Sequence, residues 1–222
     1  MTTATTQFFS TRASGDFRID RDGAALAELR RGVDEAPWTW LRQVHGARVV
    51  TVTEPGEHAG VEADAAVTDQ RGAVLAVHTA DCAPVLLEDV AAGVVGAAHA
   101  GWRGIAAGVV EATVDAMVDL GATRILARIG PHIRARCYEF GPSELDDLAA
   151  RYGDAVRAET AWGTPALDLL AALHAALRAC GPVASVKHST GCTACEPDRF
   201  WSHRARGDTG RHAAAIVQYD RS

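Results

Sequence analysis

Cys82 and His99 are the residues whose types and spacing first suggest chemistry. They stand near the two ends of an apolar stretch, HTADCAPVLLEDVAAGVVGAAHAGWRG (78–104), with His78, Asp81 and Arg103 beside them. The run Val85, Leu86, Leu87 and the pair Val94, Val95 flank a turn, DVAAG. Two apolar runs joined so closely can pair only antiparallel. Folding about position 90 to 91 sets residues whose numbers sum to roughly 181 opposite one another, and Cys82 with His99 is such a pair. A thiolate and an imidazole at cross-strand distance can act as two metal ligands, or as a nucleophile and its base.

The plainer alternative is a small core hydrophobe and a satisfied core histidine, because free Cys is among the most buried residue types. The surroundings argue against it. After His99 the segment AGWRG sets two glycines around a Trp and an Arg and then enters a helix. Such a strand–turn–helix junction offers backbone donors and a dipole to an anion, and Arg103 suits phosphate or carboxylate. A metal would need a third ligand. His45, in WLRQVHG (40–46), is the best remaining histidine, with Arg42 and Gln43 just upstream as polar residues that a plain strand does not need. His78, His132, His188 and His203 compete with it; His58 in a polar loop and His174 on a helix face are weaker.

These residues must be positioned by a scaffold, and its elements are legible. Strands are predicted at 38–43, 48–53, 64–68, 73–78, 83–88, 94–99, 124–129, 183–188 and 212–219, from β-branched and small apolar residues bounded by turn chemistry. One helix is predicted over 105–120, where Ile105, Val109, Val110, Val114, Met117 and Val118 recur at helical spacing before Gly121. Others are predicted over 144–151 with Ser143 as N-cap, over 165–180 with Pro165 early and Gly181 past the end, and over 22–31. The fold class is therefore α/β (α+β): a layered sandwich with a large, mostly antiparallel or mixed sheet flanked by helices, in one domain over 1–222.

Bulk composition limits what such a domain can be. The 222 residues carry 48% hydrophobic and 23% charged residues and a net charge of −6. That suits a soluble globular protein and speaks against nucleic acid or a membrane surface as partner. No apolar run approaches the 18 or so residues of a spanning helix. MTTATTQFFSTRASGDF lacks the basic start and apolar region of a secretory signal, which leads to the expectation of a cytoplasmic protein. Five cysteines are then reduced thiols, available for metal or catalysis. Cys192 and Cys195, in CTAC, form a lone CxxC and are read as structural thiols; Cys137 is read as packing beneath the site, and Cys180 as sitting at a helix end.

In chain order the sequence carries RQVHG (42–46), ADAAVT (63–68), TADCAPVLL (79–87), AHAGWRG (98–104), IGP (129–131), CYEFG (137–141), GCT (191–193), FWSHR (200–204) and TGR (209–211). Together these motifs resemble the YfiH, or laccase-domain, family over about residues 38–218. The resemblance implies a mixed α/β sandwich, similar in its core to bacterial deamidase toxins that use a Cys and a His. It implies a His–Cys–His metal triad on His45, Cys82 and His99, with zinc the usual metal. It implies phosphorolysis of adenosine, inosine, guanosine and methylthioadenosine, with adenosine deamination. Some bacterial members are described as peptidoglycan-editing hydrolases and others as copper polyphenol oxidases. His78, His132 and His203 depart from the family pattern, and each could add a ligand or a proton donor.

On this reading three ligands leave a fourth zinc position open, as in catalytic sites. The expected substrate and phosphate contacts are Arg42, Gln43, Arg103, Arg204 and Arg211, because the guanidinium fork matches phosphate oxygens. Asp81 and Glu139, with Cys82 and His99, are the expected catalytic groups; a turn-capping Asp and a surface Glu are the alternatives. Multicopper chemistry is less well supported, since nine histidines and two methionines without paired HxH motifs do not build the required cluster. The expected partners are small-molecule nucleosides and phosphate, with the protein a monomer. The alternative enzyme class is a Cys–His amidase with Cys82 as nucleophile and His99 as base.

Overall fold

The computed structural model describes residues 3–220. In chain order its strands are β1 (Thr3–Phe9), β2 (Trp38–Trp40), β3 (Val49–Thr51), β4 (Ala65–Thr68), β5 (Val74–Thr79) and β6 (Ala83–Asp89). Then come β7 (Val94–Ala100), β8 (Ile125–Ile129), β9 (Arg157–Glu159), β10 (Pro165–Leu167), β11 (Val183–His188) and β12 (His212–Asp220). The α-helices are α1 (Gly23–Arg31), α2 (Trp102–Ala107), α3 (Val109–Asp119), α4 (Pro142–Tyr152), α5 (Leu169–Ala179) and α6 (His203–Arg206).

The strands form a six-stranded mixed sheet in the order β11-β8-β6-β7-β4-β3, a four-stranded sheet in the order β1-β12-β5-β2, and a β9–β10 ribbon. Side-chain alternation makes both large sheets two-faced. Leu75 and Val77 of β5 and Ala214 and Ile216 of β12 meet Ala66, Leu86, Val95 and Ala97 of the larger sheet. Val74, Ala76, Ala213, Ala215 and Val217 point the other way, onto Leu26 of α1. Val67, Val85, Leu87 and Ala98 face Val110, Val114, Met117, Leu148 and Leu173 of the remaining helices. The molecule is thus a helix–sheet–sheet–helix sandwich, the mixed α/β layering predicted from the strand and helix pattern. No helix among the described residues is long and apolar enough to cross a membrane.

All nine predicted strands form. β1, β9 and β10 escape the sequence reading. β1 is threonine-rich and takes its shape by pairing along β12, and the other two have three residues each, too few for a period. The helices need more correction. The predicted helix over 105–120 starts earlier and is two helices, because Gly108 adopts a left-handed conformation (φ 92°) and turns the chain between α2 and α3. Gly141, not Ser143, precedes α4. Pro165 lies in β10, and α5 starts only after Asp168, whose carboxylate caps it by accepting from the Ala171 N–H at 2.9 Å.

The β6–β7 hairpin is present with a shifted register. Pro84 opposes His99 and Ala83 opposes Ala100, so paired numbers sum to 183. Cys82 lies just before β6, diagonal to His99 and on the same face, instead of directly opposite. Asp89 sets this register. Its buried carboxylate accepts from Ala91 and Ala92 in the turn at 3.0 and 3.1 Å, and from Thr123 and Arg124 at 2.7 Å each. Asp89→Ala orphans these four donors and is expected to cost about 3 kcal/mol. Urea unfolding should read this as a lower midpoint at unchanged slope.

Candidate metal centre

The site forms where the chain crosses between the two sheets. β2 and β5 run parallel in the smaller sheet, and after each the chain passes to the larger one. The first crossover carries Gln43 and His45, and the second carries Asp81 and Cys82. Both contain a non-glycine residue at positive φ: His45 at 62° and Asp81 at 99°. Such conformations persist only where surroundings enforce them, and they cluster at functional sites.

Asp64 enforces the first. It is fully buried, directly before β4. Its carboxylate accepts from the backbone N–H groups of Val44 (3.2 Å), His45 (2.9 Å) and Gly46 (2.8 Å), three consecutive donors that curl the chain around it. The same carboxylate binds His99 Nδ1 at 2.9 Å. Burial pushes the Asp64 carboxyl upward, but the hydrogen bonds from His99 and Gly46 outweigh this and hold it below the usual range. With Nδ1 engaged, His99 is oriented with Nε2 as its remaining ligand atom.

His45, Cys82 and His99 come together with their ligand atoms within 4.8 Å of one another. His45 Nε2 lies 3.8 Å from Cys82 Sγ, close to the ~3.6 Å that separates N and S ligands on a tetrahedral zinc. The rings of His45 and His99 meet edge to face at 4.8 Å. Gly101 makes the space: a Cβ there would stand 2.8 Å from Cys82 Sγ and 3.0 Å from His45 Cδ2. Two imidazoles, one thiol and a carboxylate behind one imidazole fit a borderline-soft divalent ion. Burial raises the Cys82 thiol, but the neighbouring His99 and His45 overcome this and lower it to about 6. Burial lowers His99, yet the Cys82 thiolate and Asp64 carry it up to about 9. Both directions favour a Cys82 thiolate beside a protonated His99, and a metal bound by both would displace that proton.

The cup opens into a cavity of about 670 Å³ lined by Gln43, His78, Asp81, Trp102, Arg103, Tyr138, His203, Arg204 and Arg211, among others. Most sequence-predicted site residues converge there, in unequal roles. Arg103 lies over the Trp102 ring with its guanidinium 4.5 Å from the ring centre and makes no side-chain hydrogen bond among the described residues. α2 has only six residues, so Arg103, and not a helix terminus, is the stronger candidate to meet an anion at that junction. Arg204 stacks on Tyr138 and donates to the Glu139 carbonyl at 3.1 Å. Arg211 donates to the carbonyls of Asp208, Thr209 and Gly210 and so braces its own loop. Gln43 exchanges two 2.7 Å hydrogen bonds with the His78 backbone. The Asp81 carboxylate accepts from the Thr193 hydroxyl (2.6 Å) and the Arg204 N–H (2.7 Å).

Arg42 and Glu139 lie outside the cavity. Arg42 is exposed and pairs through its backbone beside Glu62. Glu139 lines a neighbouring groove, where its carboxylate accepts from Trp162 Nε1 and the Thr164 hydroxyl. Among the competing histidines, His132 is buried against the Gly130 carbonyl, and His188 pairs with His174 at 3.4 Å. His78 stays in the cavity wall, 7% exposed, with both ring nitrogens unpartnered among the described residues. Burial, with the charges of Arg30 and His99, drives it down to about 3, so it is neutral. Sequence reasoning passed over Asp64, Trp102 and Tyr138. All three sit inside the quoted motifs ADAAVT, AHAGWRG and CYEFG, where only their neighbours were weighed.

The chain's residues 18–218 match the family model described as multi-copper polyphenol oxidoreductase laccase. A purine nucleoside phosphorylase of Streptomyces coelicolor is 48% identical over 194 residues, 86% of this chain and 79% of that protein. An adenosine deaminase from an unknown prokaryotic organism is 36% identical over 212 residues, covering 89% and 81%. The crystal structure of the hypothetical protein YfiH from Bacillus licheniformis superposes with a TM-score of 0.84 at 27% identity, covering 96% and 92%.

Two outcomes follow from the cup. If the cup takes a divalent ion, Asp64→Asn should weaken its hold on added zinc about 10–100-fold in chelator competition. In metal-stripped protein, alkylation of Cys82 should rise with pH through a midpoint near 6, while Cys195, pushed up to about 12 by burial and its neighbouring thiols, reacts slowly at neutral pH. Peptide mass spectrometry after timed alkylation separates the two.

Proposed function

The chain belongs to the YfiH, or laccase-domain, family, and on that footing we propose that it is a zinc-dependent purine nucleoside phosphorylase with adenosine deaminase activity. Adenosine, inosine, guanosine and methylthioadenosine are its proposed substrates, with phosphate as co-substrate. Relatives bearing those two activity names support the reading. The observation that carries it is a His–Cys–His cup and two arginine side chains, Arg103 and Arg204, lining one cavity of nucleoside-binding size.

In phosphorolysis a phosphate oxygen bonds to the anomeric carbon of the ribose while the carbon–nitrogen bond breaks and its electron pair leaves with the base. Arg103, which makes no side-chain hydrogen bond among the described residues, holds the phosphate, and Arg204 supports it. Trp102, whose ring lies under the Arg103 guanidinium, positions that cation. Tyr138, whose phenol burial keeps protonated, offers a hydroxyl to the base, while neutral His78 packs in the wall with both ring nitrogens buried. Asp81 positions the wall through Thr193 and Arg204, because both of its oxygens are engaged. His45, Cys82 and His99 would hold the zinc, which when bound supplies Lewis acidity and a bound water of pKa near 7 for deamination. One mononuclear cup with a single thiol favours zinc over the several-copper arrangement of a laccase. The proposed enzyme is a monomer acting in the cytoplasm on small molecules.

The Cys82–His99–Asp64 chain also supports a second reading. Nucleophile, base and orienting carboxylate stand in the order of a cysteine amidase, here one acting on a peptidoglycan precursor. His45 separates the two, since an amidase nucleophile does not need it. With adenosine and phosphate, the expected products are adenine and ribose 1-phosphate, with inosine from deamination. His45→Ala and Cys82→Ser should lose zinc and phosphorolysis together, and Arg103→Ala should raise the phosphate KM about 10–100-fold. A harmless His45→Ala with inactivation by thiol reagents alone would select the amidase. Absence of any phosphate-dependent product would end the phosphorylase assignment.

A further inference from the structure

Outside the catalytic cup, Cys137, Cys192 and Cys195 bring three sulfurs within 4.8 Å of one another. They reach this point from two distant segments: the short helical turn Ala135–Cys137 and the turn over residues 192–195. Thiols on a tetrahedral zinc lie ~3.8 Å apart, so the three sulfurs need to contract by no more than about 1 Å to share one ion. Cys192 is buried, Cys137 is half-buried and Cys195 is exposed, which gives an ion a way in. Cys137 and Ala194 also line the groove beside the catalytic cavity, so a fourth ligand position has room.

The charge balance fits as well. Three thiolates and a divalent ion carry one net negative charge. Arg136 acts electrostatically on Cys137 and Arg134 on Cys192, and Arg206 donates to the carbonyls of Thr193 and Ala194 inside the turn. Without an ion, burial and mutual proximity hold Cys137 and Cys195 protonated, their thiols raised above the ordinary value. The lone CxxC was read from sequence as two structural thiols. The third thiol, 55 positions upstream of Cys192, changes that reading.

We propose that Cys137, Cys192 and Cys195 form a second, structural site for a thiophilic divalent ion such as zinc, separate from the His45–Cys82–His99 cup. Its consequence for the enzyme is mechanical. Thr193, between two of the ligands, donates to Asp81, and Cys137 directly precedes Tyr138 of the cavity wall. An ion there fastens the CYEFG and GCTAC segments to each other and steadies the cavity wall at Asp81 and Tyr138.

The test uses the full chain carrying Cys82→Ser and His45→Ala, which empties the first cup, loaded with zinc or cobalt(II) alone. One equivalent should bind, with a thiolate-to-cobalt charge-transfer band and a rise in thermal midpoint on zinc addition. Adding Cys137→Ser or Cys195→Ser should remove the band, the rise and the uptake. In the unaltered chain, zinc should protect Cys137, Cys192 and Cys195 from alkylation and bind to two equivalents; this arm stands even if a serine variant fails to fold. A single equivalent in the unaltered chain with the three thiols unprotected would overturn the proposal. So would a Cys192–Cys195 or Cys137–Cys195 disulfide in protein purified without reductant.

Discussion

One buried carboxylate, that of Asp64, organises the site. A fully buried charge must be answered by donors or a partner, or it destabilises the fold. Asp64 is answered by four donors, and each has a consequence for function. Three consecutive backbone N–H groups curl the 44–46 loop around it and hold His45 in the left-handed region, pointing its ring at Cys82. The fourth donor is His99 Nδ1, which fixes the ring so that Nε2 faces the cup. The histidine on the loop and the histidine on β7 are therefore set by the same two oxygen atoms.

The sandwich explains why the His45–Cys82–His99 cup forms at this end. Two crossovers leave parallel strands of one sheet for the other, and both make abrupt turns at the same end of the layers. Residues at positive φ there cost about 1–3 kcal/mol each. His45 is held by Asp64, and Asp81 by Thr193, Arg204 and the Ile133 N–H on its carbonyl. The strain sits where rigid sheets and buried hydrogen bonds can bear it. Cys82 follows Asp81 directly, so the turn that distorts the backbone also aims the thiol. The three-cysteine cluster stands behind this wall, tied to Asp81 through Thr193.

The degree to which the fold was legible in the sequence depended on the range of the interaction. The β6–β7 hairpin was readable because its turn and its apolar runs are adjacent. Its register came out two residues away from the simple fold-over, because four residues separate the strands and the Asp89 cap fixes where they turn. The break at Gly108 was hidden by continuous helical spacing on both sides of it. Glu139 looked like a catalytic acid beside a motif tyrosine, yet the chain turns it toward Trp162 and Thr164 in the next groove. Arg42 shares a motif with His45 but is exposed and does not line the cavity.

By itself the sequence determined what is local: nine strands from their composition and turn punctuation, the layered mixed α/β class, the β6–β7 hairpin, and motifs specific enough to name a family. These rest on neighbours close in the chain, where spacing and propensity suffice. Only the tertiary structure decided which buried carboxylate orients His45 and His99, that Gly101 leaves room for the cup, which cavity arginine makes no side-chain hydrogen bond among the described residues, and that Cys137 joins the CxxC pair. Each of those depends on groups tens of residues apart being placed within ångströms of one another. That placement follows from how the sheets stack and cross, which no local pattern records.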